Sequence, residues 1–360
     1  MIERYLNPEI NSIWDDQNKF DTWKLVQEKY VETLEEINIA EKGIAKKINQ
    51  SVVQKDEVYK QEEITNHDLA SFVDILQKKV GEGSNWIHYG LTSSDIVDTA
   101  NSVLIMQSLD YVKDLVSELL STLQEKAVQE KDTSIIGRTH GVYAEETFLG
   151  NIFGNWHLEV ARGLNRLENS KNNISFGKLS GPVGNHSVVT WEMEKLTLEK
   201  LNLKPEQFAN QIVSRDRYAE VVSSLGILAS TYERIATNIR SYQRSEISEM
   251  FESFKDGQKG SSAMPHKKNP IGSERITGLA RIMRSYVSTS LENMVLWHER
   301  DISNSSVERI MLPDAFHLIS FMSIELNSIF KNLVINYEQI NINLKDAKNK
   351  SVSQKYLSYL

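Results

Sequence analysis

Cysteine is absent from all 360 residues. The chain can therefore build neither a disulfide framework nor a thiolate-held metal, and a reducing compartment fits. No apolar run is long enough to span a bilayer. The opening residues, Met1 to Pro8, carry charge at once and no apolar core, which excludes a signal peptide from the expectations. A soluble, cytoplasmic protein without a membrane partner is expected. Positive charge is in deficit, with 41 Lys+Arg against 49 Asp+Glu and a net charge of −8. General nucleic-acid binding needs a basic face and is not expected, so any anionic ligand must be caught by a local cluster. Proline and glycine are scarce, at 6 and 17 residues, which predicts long uninterrupted elements. The length suits two or three domains or one large helical body.

What is present is helical periodicity. Apolar residues mark a helix over about 20–50 and another after His67, which breaks at Gly81 and Gly83. A hydroxyl-rich loop over 86–95 follows, with Ser94 or Asp95 as cap of the next helix. That helix runs from Val97 to about Lys131, roughly 50 Å at the α-helical rise. Further long helices are predicted over about 145–169, 215–252 and 271–298, and a fifth starts near Pro313. Strand alternation is confined to a short piece near Ile174–Leu179. The pattern predicts an all-α fold, a long-helix bundle. Its apolar residues extend beyond a single stripe, which favours an oligomer built by helix packing.

Polar constellations fall in the breaks between these rods, where rigid elements hold loops for function. The most concentrated is Gly260-Ser-Ser-Ala-Met-Pro-His-Lys-Lys-Asn-Pro270. Its prolines and glycines forbid a regular helix, and Pro270 opens the helical pattern that follows. A helix N-terminus behind a cationic loop is a ready anion site. Five of the 8 histidines, His67, His88, His140, His266 and His298, lie in such breaks. No metal site is expected, because no His-Glu-x-x-His or comparable helical spacing occurs. Phosphate-loop and dinucleotide fingerprints are missing, and Ser261 lacks the strand–turn–helix elbow of a hydrolase. The residue types point to proton transfer on a multiply anionic substrate. Arg4, Arg138, Lys267, Arg300 and Arg309 would neutralise its charges, and His140 or His266 would move protons.

The 260–270 run resembles the signature loop of the fumarase/aspartase superfamily, Gly-Ser-Ser-x-Met-Pro-x-Lys-x-Asn-Pro. Finer matches are to the adenylosuccinate lyase family. They are Met1-Ile-x-Arg-Tyr5, His67-Asp68, the 86–95 loop, Gly137-Arg-Thr-His-Gly-Val142 and the 296–309 run. The resemblance covers residue 1 to about 340. It implies an all-α homotetramer with active sites shared between chains, and no cofactor. The implied domains are an N-terminal helical domain over 1–92, a central bundle over 93–340 carrying the signature loop, and a remnant over 341–360. A helical C-terminal domain of the family would be largely absent.

The implied reaction is elimination of fumarate from adenylosuccinate, giving AMP, and from the succinylated aminoimidazole carboxamide ribotide. By position, Ser261 matches the general base and His140 the general acid. A serine serves as base only if its alkoxide is stabilised, which Lys267 and loop N–H groups can do. Lys267, Asn269 and the helix N-terminus would meet the carbanion's extra charge. Glu274 would orient a histidine, His67, across a subunit boundary. Arg4, Tyr5, Arg300, Ser305 and Arg309 would hold the phosphate and ribose end. His67, Asp68, Thr92, Ser93 and Gln211 would contact the remainder, with Asn66, His88, Ser262 and Met264 completing the binding set. The chain departs from the family pattern at Asn66 (arginine is usual), Tyr143 (histidine), Glu146 (proline) and Asn304 (histidine). A related lyase on another N-succinyl compound and an inactive helical scaffold are the competing readings.

Overall fold

The computed structural model describes residues 1–254, 264 and 267–348. Ser261, Ser262 and His266 lie outside the described residues, as do residues 349–360. Five helices come first: α1 (Pro8–Trp14), α2 (Asp16–Glu36), α3 (Ile44–Gln50), α4 (Lys55–Thr65) and α5 (Asp68–Val80). Then come α6 (Ser93–Gln129), β1 (Ser134–Thr139), β2 (Val142–Phe148), α7 (Leu149–Ile174), β3 (Phe176–Gly177), α8 (Trp191–Glu199) and β4 (Lys204–Pro205). The chain closes with α9 (Arg215–Tyr242), β5 (Met250–Phe251), α10 (Ile271–Glu292), α11 (Ser303–Lys331), β6 (Val334–Ile335) and α12 (Tyr337–Ala347). The fold is all-α, a long-helix body with a few two-stranded pairings. No described helix is long and apolar enough to cross a membrane.

The chain forms two compact units. One comprises Met1–Tyr111, Glu168–Val222 and Val287–His317; the other comprises Val112–Leu167, Ser223–Tyr286 and Leu318–Leu360. The first unit is cored by aromatic packing. Phe20 meets Trp23 edge-on at 5.2 Å, and Phe72 stacks on Phe20 at 6.1 Å while meeting Trp23 at 5.6 Å. Val26, Tyr30, Leu34 and Leu76 close around them, all fully buried. Such aromatic pairs contribute about 0.5–1.5 kcal/mol beyond their burial.

The second unit packs the long helices α6, α7, α9, α10 and α11 side by side. Val112, Val116, Leu119 and Leu123 give α6 a buried stripe at helical spacing. Thr122 donates to Asn327 at 2.7 Å, tying α6 to α11. Tyr232 and Ser323 hydroxyls meet at 3.0 Å between α9 and α11. Trp156 of α7 packs on Phe330 of α11 at 5.8 Å. A Cβ on Gly163 would lie 2.8 Å from a methyl of Leu228, so α7 and α9 approach as closely as glycine allows.

Several boundaries differ from expectation. The segment 134–148 is a β-hairpin, and α7 starts only at Leu149. α9 stops at Tyr242 rather than near residue 252, because the Glu249 N–H returns to the Tyr242 carbonyl and Ser248 takes a left-handed φ of 51°. α10 ends at Glu292, before the exposed apolar side chains of Val295 and Trp297. α11 begins ten residues before Pro313. Its start is fixed by Asp301, whose carboxylate accepts from the Ser303 and Trp297 N–H groups at 2.9 Å each. Pro313 sits inside the helix at the loss of one backbone hydrogen bond. Neither Ser94 nor Asp95 is the cap of α6. Asp95 lies in its first turn and accepts from the Thr92 N–H at 2.8 Å. The short strand near 174–179 is present as β3, paired in parallel with β4.

Candidate active site

A cavity of about 500 Å³ opens within the first unit. It is bounded by the start of α5, the first turns of α6, the segment entering α9 and the start of α11. Eight residues singled out by the sequence line it: His67, Asp68, Thr92, Ser93, Gln211, Arg300, Ser305 and Arg309. They lie as much as 242 positions apart in the chain (309 − 67), and only folding joins them.

Each is placed by local chemistry. His67 is the cap of α5, its Nδ1 accepting a long contact from the Ala70 N–H at 3.4 Å. That role requires the proton on Nε2, which faces the Ser93 hydroxyl at 3.4 Å. Thr92 and Ser93 are set by a fully buried ion pair beneath them, Lys178 with Asp95. The same carboxylate accepts from the N–H groups of Thr92 and Gly181, and Lys178 also donates to the Gly181 carbonyl at 2.8 Å. A buried pair is sustained only when its remaining lone pairs and protons are satisfied in this way.

The cations of the cavity are not equivalent. Lys19 pairs with Asp16 at 2.6 Å, and Arg309 with Asp68 at 2.6 Å. Arg215, buried, is clamped by two carboxylates, Asp98 at 2.6 Å and Glu308 at 2.8 Å. Arg300 meets no carboxylate within ion-pair distance among the described residues. Its guanidinium donates to two carboxamide oxygens, Gln211 at 3.2 Å and Asn304 at 3.3 Å. Burial lowers its pKa, with Arg215 adding to the effect and Asp98 opposing it. A half-buried cation held by neutral partners is the charge the cavity leaves open to an anion.

Four other candidates lie in the same unit without lining the cavity. Arg4 and Tyr5 form a single turn over Glu3–Tyr5, and Asn66 ends α4 with a left-handed φ of 51°. His88 is held by Gln27, whose Oε1 accepts from the His88 N–H at 2.9 Å. The Gln27 amide nitrogen must then donate to Nδ1 at 3.1 Å, which places the ring proton on Nε2. Burial, with His67 a smaller contributor, brings the His88 pKa down to about 4, so the ring is neutral near pH 7. His88, His140, His186 and His298 all adopt positive φ, at 64°, 54°, 52° and 48°. Left-handed backbone is uncommon outside glycine and costs about 1–2 kcal/mol per residue.

The second unit carries the remaining candidates. His140 and Gly141 are the two loop residues of the β1–β2 hairpin, between the paired Thr139 and Val142. Both have positive φ, 54° and 79°, the requirement of a type I′ turn. The His140 ring is exposed, and no described residue hydrogen-bonds to it. Gly137 allows the bulge that follows Ile136, since a Cβ there would strike the Glu145 carbonyl at 2.9 Å. Arg138 is not available to an anion, contrary to expectation. It donates twice to Glu249, 2.8 Å each, and that carboxylate is fully buried and also held by Asn343.

Met264, Lys267, Asn269 and Glu274 border a second, more open cavity of about 850 Å³, with Arg240 and Arg244 on its walls. The N-terminus of α10 does not wait for a ligand. The Glu252 carboxylate already accepts from the Gly272 and Ser273 N–H groups at 3.1 and 2.6 Å, which corrects the reading of that terminus as an open anion site.

The structure adds residues to the first cavity that the sequence reading did not assign: Asp98, Asn101, Asn304 and Glu308. Asp98 was legible as a carboxylate within the apolar repeat of α6, where an unpaired charge is not tolerated. Glu308 stands inside the recognised 296–309 run without a role drawn from it.

Comparison with known proteins agrees with this architecture. The lyase family model matches residues 12–283. A curated adenylosuccinate lyase of Thermotoga maritima is 43% identical over 358 residues, 99% of this chain and 83% of that protein. The Bacillus subtilis adenylosuccinate lyase is 41% identical over 99% of this chain and 83% of its own. Among solved structures, a fumarate lyase from Mesorhizobium sp. BNC1 superposes with a TM-score of 0.88, at 20% identity, covering 98% of this chain and 82% of its own. That likeness establishes the fold alone. Family match and near-full-length identity together place the chain in the adenylosuccinate lyase family of the fumarase/aspartase superfamily, whose members are carbon–nitrogen lyases.

Proposed function

We propose that the chain eliminates fumarate from adenylosuccinate, giving AMP, and likewise from succinylaminoimidazole carboxamide ribotide. The observation that carries this reading is Arg300, a half-buried cation in a cavity of nucleotide size whose hydrogen-bond partners among the described residues are carboxamides. It takes the phosphate end of the substrate, beside Ser305 and Arg309. Thr92, Ser93, Gln211, His67 and Asp68 take the base and succinyl portions.

In the reaction Ser261 removes the proton from the carbon next to the succinyl carboxylate, and the electron pair is held as an aci-carboxylate. The carbon–nitrogen bond then breaks, and His140 delivers a proton to the departing nitrogen. Lys267 and Asn269 stabilise the developing charge. Glu274 orients His67 across a subunit boundary, from a neighbouring copy of the chain. The exposed ring of His140, without a hydrogen-bond partner among the described residues, suits a group that must reach a substrate.

The chain assembles as a homotetramer with sites shared between copies. Exposed apolar side chains on three long helices support it: Leu158 is 58%, Ile227 46% and Ile282 44% exposed. Purified protein incubated with adenylosuccinate is expected to release fumarate, followed by ultraviolet absorbance, and to show four chains by native mass measurement. Turnover confined to another N-succinyl compound would reassign the substrate, and no turnover with a folded oligomer would leave a scaffold.

A further inference from the structure

We propose that Glu308 is a positioning residue: acting through Asn304, it fixes the guanidinium of Arg300 in the orientation that receives the substrate's anionic end. The inference rests on the proposed reading that this cavity takes a nucleotide. Asn304 is 1% exposed and Glu308 6%, so neither competes with bulk water for its hydrogen bonds. The Asn304 carboxamide donates from Nδ2 to Glu308 Oε2 at 3.1 Å, and its Oδ1 accepts from Arg300 Nε at 3.3 Å. A carboxylate only accepts, so it dictates which end of the amide it faces. The oxygen is thereby turned toward Arg300. Without that charge the amide can rotate and present its N–H₂ to a cation.

Glu308 is itself held from its other side. Arg215 donates to it from Nε and Nη2 at 2.8 and 3.0 Å, and grips Asp98 on its other edge at 2.6 and 3.0 Å. Asp98 further accepts from the Val213 N–H at 2.8 Å, which steadies the segment carrying Gln211, the second partner of Arg300. One buried arginine therefore anchors both amides that hold the open cation, and none of the anchoring groups needs to touch the ligand.

The test uses the full chain, with AMP titration by calorimetry, competition by inorganic phosphate, and steady-state turnover of adenylosuccinate. In Glu308→Gln, affinity for AMP and inhibition by phosphate are expected to weaken together by roughly tenfold, the loss of one well-placed charge-assisted hydrogen bond. The turnover penalty falls on KM rather than on kcat. Asn304→Leu breaks the same link and leaves both Arg215 ion pairs intact, so it answers the question if Glu308→Gln folds poorly. In an Arg300→Lys background, Asn304→Leu should cost nothing further. Wild-type AMP affinity in Asn304→Leu, or additive losses in the double variant, would overturn the proposal. Wild-type protein that binds AMP without releasing fumarate would overturn the proposed reaction and leave the positioning role tested by binding. Wild-type protein that does not bind AMP would sink both.

Discussion

The cavity of the first unit and the hairpin tip of the second hold their polar groups by opposite means. In the first, side chains fix side chains: Arg215, Lys178 and Arg309 are each committed to carboxylates, and the first two are buried. In the second, backbone geometry presents His140 at the tip of a hairpin, exposed and without a hydrogen-bond partner among the described residues. A binding cavity gains from immobile charge, because an oriented cation needs no reorganisation when the anion arrives. A proton donor gains from reach. Substitutions in the first unit should therefore register in stability and affinity, and those at the hairpin tip in rate.

The largest contrast is expected at His140. His140→Gln should reduce kcat by about 10²–10⁴-fold, the usual contribution of a positioned acid or base. Its thermal midpoint should stay near wild type, since exposed substitutions move stability by about 0.5 kcal/mol or less. Steady-state kinetics beside a thermal melt checks both halves. A large drop in melting temperature with modest rate loss would mean that His140 holds the hairpin instead of serving the reaction.

Arg215→Met should show the reverse signature. It strands two buried carboxylates, Asp98 and Glu308, and should destabilise the fold by about 3–5 kcal/mol in urea unfolding. Replacing all three by apolar residues of similar volume should recover most of that loss, because a buried ion cluster is costly to desolvate. Nucleotide affinity should not return with it. Recovery of both would show that the cluster serves folding alone.

This asymmetry also explains what could be read in advance. The rods α6, α7, α9, α10 and α11 were visible because apolar spacing is local, and so were the breaks that carry polar groups. The hairpin was not. Its alternation is interrupted by the bulge after Ile136, and its turn is His-Gly where Asn-Gly would have announced it. Pairings between distant charges were equally hidden. Arg215 finds Glu308 across 93 positions and Asp98 across 117, and Glu252 fills the α10 terminus from 20 positions away. A single sequence shows that Arg138 is cationic and says nothing of Glu249, which occupies it.

A smaller effect should appear with acid. His88 titrates near 4 in the folded chain and near its ordinary 6.5 when unfolded. A depressed histidine binds more protons unfolded, so its contribution is complete above about 6.5 and is lost as pH falls toward 4. Between pH 7.5 and 5 the loss should be about 2 kcal/mol in denaturant unfolding. His88→Phe should flatten that slope. If the slope persists unchanged, the acid sensitivity belongs to other groups of the unit.

The smallest effect isolates backbone from side chain at the hairpin tip. A Cβ on Gly141 would meet nothing within 4 Å, so Gly141→Ala introduces no clash and tests only the left-handed φ of 79°. The strain should destabilise the chain by about 1 kcal/mol. If the turn is what aims the imidazole, turnover should fall by more than this stability loss explains, because the altered turn points His140 elsewhere. Gly141→Asn, which tolerates positive φ, should restore the rate. Equal rates in the alanine and asparagine variants would show that the proton donor works from a pliant tip, and that reach alone, without backbone aiming, distinguishes this unit from the first.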